Sequence, residues 1–187
     1  MIVLVTGGSA SGKSEFAENL CVSLASTKKI APLFYLASLD RESGGDTLLR
    51  IKRHREERKN KGFVTLELPR IPENFSLPPS SIALLEDLGN LTANIIFNPL
   101  ELPQKSERTF KTFTEIVSQN ISRVFSQASD AVVVTNDVFL SSDFSPQSRS
   151  PELELYIQVL AAVNNNVASA SDQTYRVIAG IPLPIKK

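Results

Sequence analysis

Gly7-Gly8-Ser9-Ala10-Ser11-Gly12-Lys13-Ser14 decides how this chain is read, because it meets the pattern G-x-x-x-x-G-K-[ST]. Backbone N–H groups can wrap phosphates closely only where no Cβ obstructs the turn, so glycines recur in such a loop. Lys13 is expected to reach the β- and γ-phosphates and the Ser14 hydroxyl to ligate Mg²⁺. The helix that begins here adds its dipole to the anion site. A chance glycine turn would meet the four fixed positions in about one chain in a hundred of this length. The setting makes coincidence rarer still: Ile2–Val5 reads as a buried strand before the loop, and Phe16, Leu20 and Leu24 mark an amphipathic helix after it. The whole loop, Gly7 to Ser14, is therefore read as a phosphate site for ATP or GTP with Mg²⁺.

Working outward, β-rich runs alternate with helical patterns. Strands are predicted at Ile2–Val5, Leu33–Ala37, Phe63–Leu66, Ile82–Leu85, Val132–Thr135 and Tyr175–Ala179. Helices are predicted at Lys13–Ala25, Asp46–Lys61, Asp87–Phe97, Thr109–Gln127 and Pro151–Ser171. Near-continuous apolar strands separated by helices imply an α/β fold, with a mainly parallel sheet covered on both faces. Pro69–Ser80, Asn98–Ser106 and Ser141–Pro151 read as loops. None is long enough to join independent domains, so residues 1–187 are taken as one domain.

Composition narrows the class. The 187 residues are 42% hydrophobic, enough for one full core. Twenty Lys and Arg balance twenty Asp and Glu, without the basic excess of a bulk nucleic-acid binder. The single cysteine, Cys21, rules out an internal disulfide and suits a reducing compartment. No basic leader precedes the loop, and no apolar run approaches the roughly 20 residues that cross a bilayer. These features predict a soluble, cytoplasmic protein that engages neither nucleic acid nor membrane.

Two further groups bear on chemistry. A phosphate-loop enzyme needs an acidic residue at a neighbouring strand end to hold the metal's water shell, and Ile82-Ala83-Leu84-Leu85-Glu86 supplies it in Glu86. The competing reading has Glu86 and Asp87 merely capping the next helix. In the basic stretch Arg50-Ile51-Lys52-Arg53-His54-Arg55, followed by Arg58, residues Arg50, His54 and Arg58 fall on one helix face. A neutral imidazole between guanidiniums suits attack on a nucleotide α-phosphate, with the arginines stabilising the departing pyrophosphate. A solvated charged helix with an incidental histidine is the plainer alternative.

Taken together, these blocks resemble the adenosylcobinamide kinase / adenosylcobinamide-phosphate guanylyltransferase family of cobalamin biosynthesis. The resemblance runs from Val5-Thr6 and the loop through Tyr35-Leu36-Ala37-Ser38, the Arg50–Arg55 block, and Leu84-Leu85-Glu86-Asp87 with Asn94. It continues through Val134-Thr135-Asn136-Asp137-Val138 and Val163-Asn164-Asn165 to Ala179-Gly180-Ile181-Pro182. It implies a RecA-like P-loop fold, a homotrimer, and a bifunctional enzyme. Such an enzyme phosphorylates adenosylcobinamide with a nucleoside triphosphate, then carries GMP from GTP on a histidine to the new phosphate. The family histidine maps onto His54, and the acidic strand end onto Glu86. The chain departs from the family pattern at Asp137, where glutamate is usual, and at Ala161-Ala162-Val163-Asn164-Asn165, which lacks the usual glycine and glutamine. The alternative readings are a nucleoside-type small-molecule kinase, a kinase-only paralogue, and a nucleotide-binding regulator without chemistry.

Overall fold

Side chains along a strand alternate between the two faces of its sheet, and the continuous apolar runs of this sequence furnish both faces at once. The computed structural model describes residues 1–28, 31–38, 60–97, 107–137 and 150–187. Its elements are β1 (Ile2–Gly7), α1 (Lys13–Thr27), β2 (Leu33–Ala37), β3 (Phe63–Glu67), β4 (Ile82–Glu86) and α2 (Leu88–Phe97). Next come α3 (Phe110–Gln127), β5 (Asp130–Asn136), α4 (Pro151–Ala170), β6 (Gln173–Ile178) and β7 (Ile181–Lys186). The strands form one sheet in the order β3-β2-β4-β5-β1-β6-β7. Strands β1 to β6 pair in parallel and β7 runs antiparallel to β6.

The alternation sorts the core into two layers. Ile82 and Leu84 of β4 join Val3, Val5, Val132 and Val134 on the α1 face. Ala83 and Leu85 join Leu4, Ala131 and Val133 on the face covered by α2, α3 and α4. Helices lie on both faces, as the sequence predicts. The helix α1 differs in detail from that reading. Its fully inward residues are Ala17, Cys21 and Ala25, while Phe16, Leu20 and Leu24 are half-buried at its flanks. A stripe of small residues lets the helix sit close to the sheet, and the larger apolar groups fill the margins.

Helix starts follow local capping chemistry. Thr109 and Ser150 stand just outside α3 and α4, where each hydroxyl accepts from an amide of the first turn, and Pro151 occupies the start of α4. The strand predicted at Tyr175–Ala179 ends one residue earlier, and the chain turns at Ala179 and Gly180, with φ 49° and 79°. It then returns as β7, which the sequence reading missed. Two prolines in Ile181-Pro182-Leu183-Pro184-Ile185-Lys186 argue against an interior strand, and an edge is where such a strand is tolerated. Of the predicted helix Asp46–Lys61, residues 46–59 lie outside the described residues, and Asn60 and Lys61 form a turn into β3. The loop predicted at Asn98–Ser106 and residues 141–149 of the loop predicted at Ser141–Pro151 also lie outside them.

Candidate nucleotide site

In an open parallel sheet, ligands bind beyond the carboxyl ends of the strands, and there the motif residues gather. The phosphate loop leaves β1 at Gly7. A Cβ on Gly7 would stand 2.6 Å from the Val177 carbonyl oxygen of β6, so only glycine fits this exit. Gly12 closes the loop with φ 89° and caps α1, its carbonyl accepting from Phe16 N at 3.0 Å. Lys13 is buried and curls back over the loop, donating from Nζ to the Gly8 carbonyl at 3.1 Å.

Ser14 and Glu86 meet directly. The Ser14 hydroxyl donates to Glu86 Oε1 at 2.5 Å, joining the first turn of α1 to the end of β4. The other carboxylate oxygen, Oε2, is buried with no partner among the described residues. Burial raises the Glu86 carboxyl from its ordinary 4.5 to about 7; neighbouring Asp87 and Glu18 add to the rise, while Ser14 and Lys13 oppose it. Asp87 does something different. Its Oδ1 accepts from Gly89 N at 2.8 Å, capping α2, and its Oδ2 accepts from the Asn136 side-chain amide. Burial raises its carboxyl too, against the hydrogen bonds and the Lys13 charge that lower it. The adjacent acids thus divide: Asp87 caps the helix and Glu86 faces the phosphate loop.

A hydrated Mg²⁺ fits this donor set. Mg²⁺ takes hard oxygen ligands, keeps several waters, and is held by one or two carboxylates plus substrate phosphates rather than an all-protein cage. Ser14 Oγ and the unpaired Glu86 Oε2 supply such oxygens. Among the described residues, no group of three His, Cys, Asp or Glu side chains forms a dedicated metal cage.

Several residues at the site had no assigned role in the sequence reading. Ser38, fully buried just past β2, donates to the Glu86 and Asp87 carbonyls at 3.0 and 2.8 Å and accepts from Asp87 N at 2.9 Å. Asn94 of α2 donates to the Ser38 carbonyl at 2.6 Å and to the Pro69 carbonyl at 3.1 Å. Burial and the Asp87 charge push the Tyr156 hydroxyl of α4 up to about 12. Asp137, one methylene shorter than the glutamate usual at its position, pairs with Arg176 of β6 at 2.8 Å, and its N–H donates to the Gly7 carbonyl at 3.0 Å. Arg50, His54 and Arg58 lie outside the described residues.

The model of the cobinamide kinase / cobinamide phosphate guanyltransferase family matches residues 3–185, nearly the whole chain. The chain belongs to this family. Two curated relatives are similar over their full length and that of this chain: the bifunctional adenosylcobalamin biosynthesis protein CobU of Escherichia coli, 24% identical over 192 residues, and its namesake from Salmonella typhimurium, 25% identical over 193. Among solved structures, the flagellar accessory protein FlaH of Methanocaldococcus jannaschii aligns with TM-score 0.46 and 11% identity, covering 99% of this chain and 77% of its own. A KaiC-like protein of Pyrococcus horikoshii aligns with TM-score 0.45 and 10% identity, covering 94% and 71%. As a member of the cobinamide kinase / cobinamide phosphate guanyltransferase family, the chain is a transferase of cobalamin biosynthesis that binds nucleotide on a P-loop α/β fold.

Proposed function

We propose that the chain carries out both transfers of its family in sequence, phosphorylating adenosylcobinamide and then guanylylating the product. In the first, a nucleoside triphosphate, ATP or GTP, lies with its phosphates along Gly7 to Ser14. The substrate hydroxyl displaces the nucleoside diphosphate at the γ-phosphorus, and Lys13 follows the charge of the migrating phosphoryl group. Mg²⁺, held by Ser14 and through water by Glu86, would neutralise charge on the β- and γ-oxygens.

In the second transfer, the neutral imidazole of His54 attacks the α-phosphorus of GTP and pyrophosphate leaves, giving a histidine–GMP phosphoramidate. Arg50 and Arg58 stabilise the charge of the departing pyrophosphate. The phosphate of adenosylcobinamide phosphate then displaces the imidazole, which regenerates His54 and releases adenosylcobinamide-GDP. We read the working form as a single-domain chain assembled into a homotrimer in the cytoplasm, acting on small molecules without nucleic acid or membrane. Among the described residues, no helix is long and apolar enough to cross a membrane.

The observation that supports this reading most directly is the Ser14–Glu86 contact beside Lys13. It pairs the hydroxyl and carboxylate that a phosphate-bound cation requires. The test incubates the full-length chain with GTP labelled at the α-phosphorus and Mg²⁺, alongside a cobinamide phosphorylation assay. Acid-labile, alkali-stable label on the protein together with kinase turnover is the expected result. Kinase turnover with no label would leave a kinase-only enzyme, and neither would leave a nucleotide-binding regulator.

A further inference from the structure

We propose that Gly180, at the β6–β7 turn, is a positioning residue for the phosphate loop and sets its affinity for triphosphate. The inference rests on the loop being the nucleotide site and extends that site to a turn about 170 residues away in sequence. Gly180 N donates to the Ser11 carbonyl at 2.8 Å. In a planar trans peptide the carbonyl and the following N–H point opposite ways. Holding the Ser11 carbonyl toward the hairpin therefore turns the Gly12 N–H away from it, toward the inside of the loop.

The same device operates at the other end of the loop. Asp137 N holds the Gly7 carbonyl at 3.0 Å, which fixes the Gly8 N–H in the same manner. The two anchors follow the strands that flank β1: Asp137 comes directly after β5, and Gly180 lies in the turn after β6. The contact at Gly180 is close: a Cβ on Gly12 would lie 3.1 Å from Gly180 Cα. Because Gly12 also starts α1, any release of the Ser11–Gly12 peptide displaces Lys13 and Ser14 with it.

Gly180 holds this position with φ 79°, a left-handed conformation that costs other L residues dearly. A Cβ there would meet nothing within 4 Å, so a substitution acts through the backbone and not through a clash. Asparagine visits this conformation far more readily than alanine. Gly62 provides a matched control. It has φ 81° and equally open space, and it lies at the start of β3, at the opposite end of the sheet from the phosphate loop.

The experiment measures dissociation constants of the full-length wild type, Gly180→Ala, Gly180→Asn and Gly62→Ala for Mg²⁺ complexes of GTP, ATP and inorganic tripolyphosphate. Thermal melts of each protein are run alongside. Gly180→Ala is expected to bind all three about tenfold more weakly, the scale of the left-handed penalty. Gly180→Asn should return to within about threefold of wild type, and Gly62→Ala should lose thermal stability with unchanged affinity. Unchanged affinity in Gly180→Ala would overturn the proposal, as would an equal loss in Gly180→Asn, or a loss confined to one base. A wild type that binds none of the three probes would instead refute the nucleotide-site reading itself.

Discussion

Replacing Glu86 by glutamine keeps the side chain's shape and an acceptor for Ser14 while removing the charge. In the absence of nucleotide, burial lifts the Glu86 carboxyl from 4.5 to about 7. A raised carboxyl favours the folded state while neutral; that advantage is complete below pH 4.5 and gone once pH passes about 7. Two and a half pH units at 1.36 kcal/mol each correspond to about 3 kcal/mol, most of it developed between pH 5 and pH 8. Glutamine has no such dependence, so Glu86→Gln should gain on wild type by about 2–3 kcal/mol across that interval. For a domain of this size the gain reads as roughly 5–10 °C in Tm. Thermal melts of both proteins at pH 5 and pH 8, without nucleotide, check it. Added Mg²⁺ and GTP should then raise the wild-type Tm more than the mutant's, because the charged carboxylate is what the cation needs. A stability gap that stays the same from pH 5 to pH 8 would refute the reasoning, since it would mean that Glu86 titrates as it does in the unfolded chain.

Lys13→Ala should lower both transfers by about a hundredfold or more per folded molecule, because the charge that follows the migrating phosphoryl group is lost; steady-state rates of each step, with thermal melts alongside, decide it. His54→Ala should abolish labelling by α-labelled GTP yet retain cobinamide phosphorylation, and equal labelling of mutant and wild type on denaturing gels would exclude His54 as the carrier. Burial alone would raise the Asp130 carboxyl, but the Lys28 ammonium and the chain's amino group, 3.3 Å from Oδ1, outweigh it and hold the carboxyl below its usual range. Its contribution is therefore present above about pH 4 and lost as pH falls further. Asp130→Asn should cost about 1–3 kcal/mol at pH 7, with the gap closing toward pH 3, as measured by denaturant unfolding.

The alternating strands and helices were legible because strands buried on both faces read as unbroken apolar runs, as in Ile82–Leu85. The phosphate loop was legible because its chemistry is compressed into adjacent residues. Glu86 could be proposed from its place at a strand end, but its separation in role from Asp87 could not. That division depends on Asn136, which reaches Asp87 across 49 residues of sequence once β4 and β5 lie side by side. Ser38 and Gly180 stood in the blocks that carry the family resemblance but had no role assigned, for the same reason: strand order brings them to the site, and no local pattern encodes that order. The seating of α1 was misjudged because alanine and cysteine give a weak hydrophobic signal, although small residues permit the closest approach to a sheet. The last strand was missed because Pro182 and Pro184 interrupt its apolar pattern, and only the strand order shows that it lies at an edge, where prolines are tolerated.

Those prolines govern how the sheet meets other chains. An exposed terminal strand carrying Ile181, Leu183 and Ile185 has the composition that recruits further strands and seeds fibrils. Recruitment proceeds through a rail of alternating N–H and C=O groups along the free side. Pro182 and Pro184 have no N–H to offer, and they stand two residues apart, where successive donors of one rail would be. With Ile181 and Leu183 left to donate to β6, the outer rail keeps carbonyls but loses the donors at both positions. The sheet can therefore end in apolar side chains without inviting an eighth strand, and any assembly at this border is left to side-chain packing instead of backbone templating.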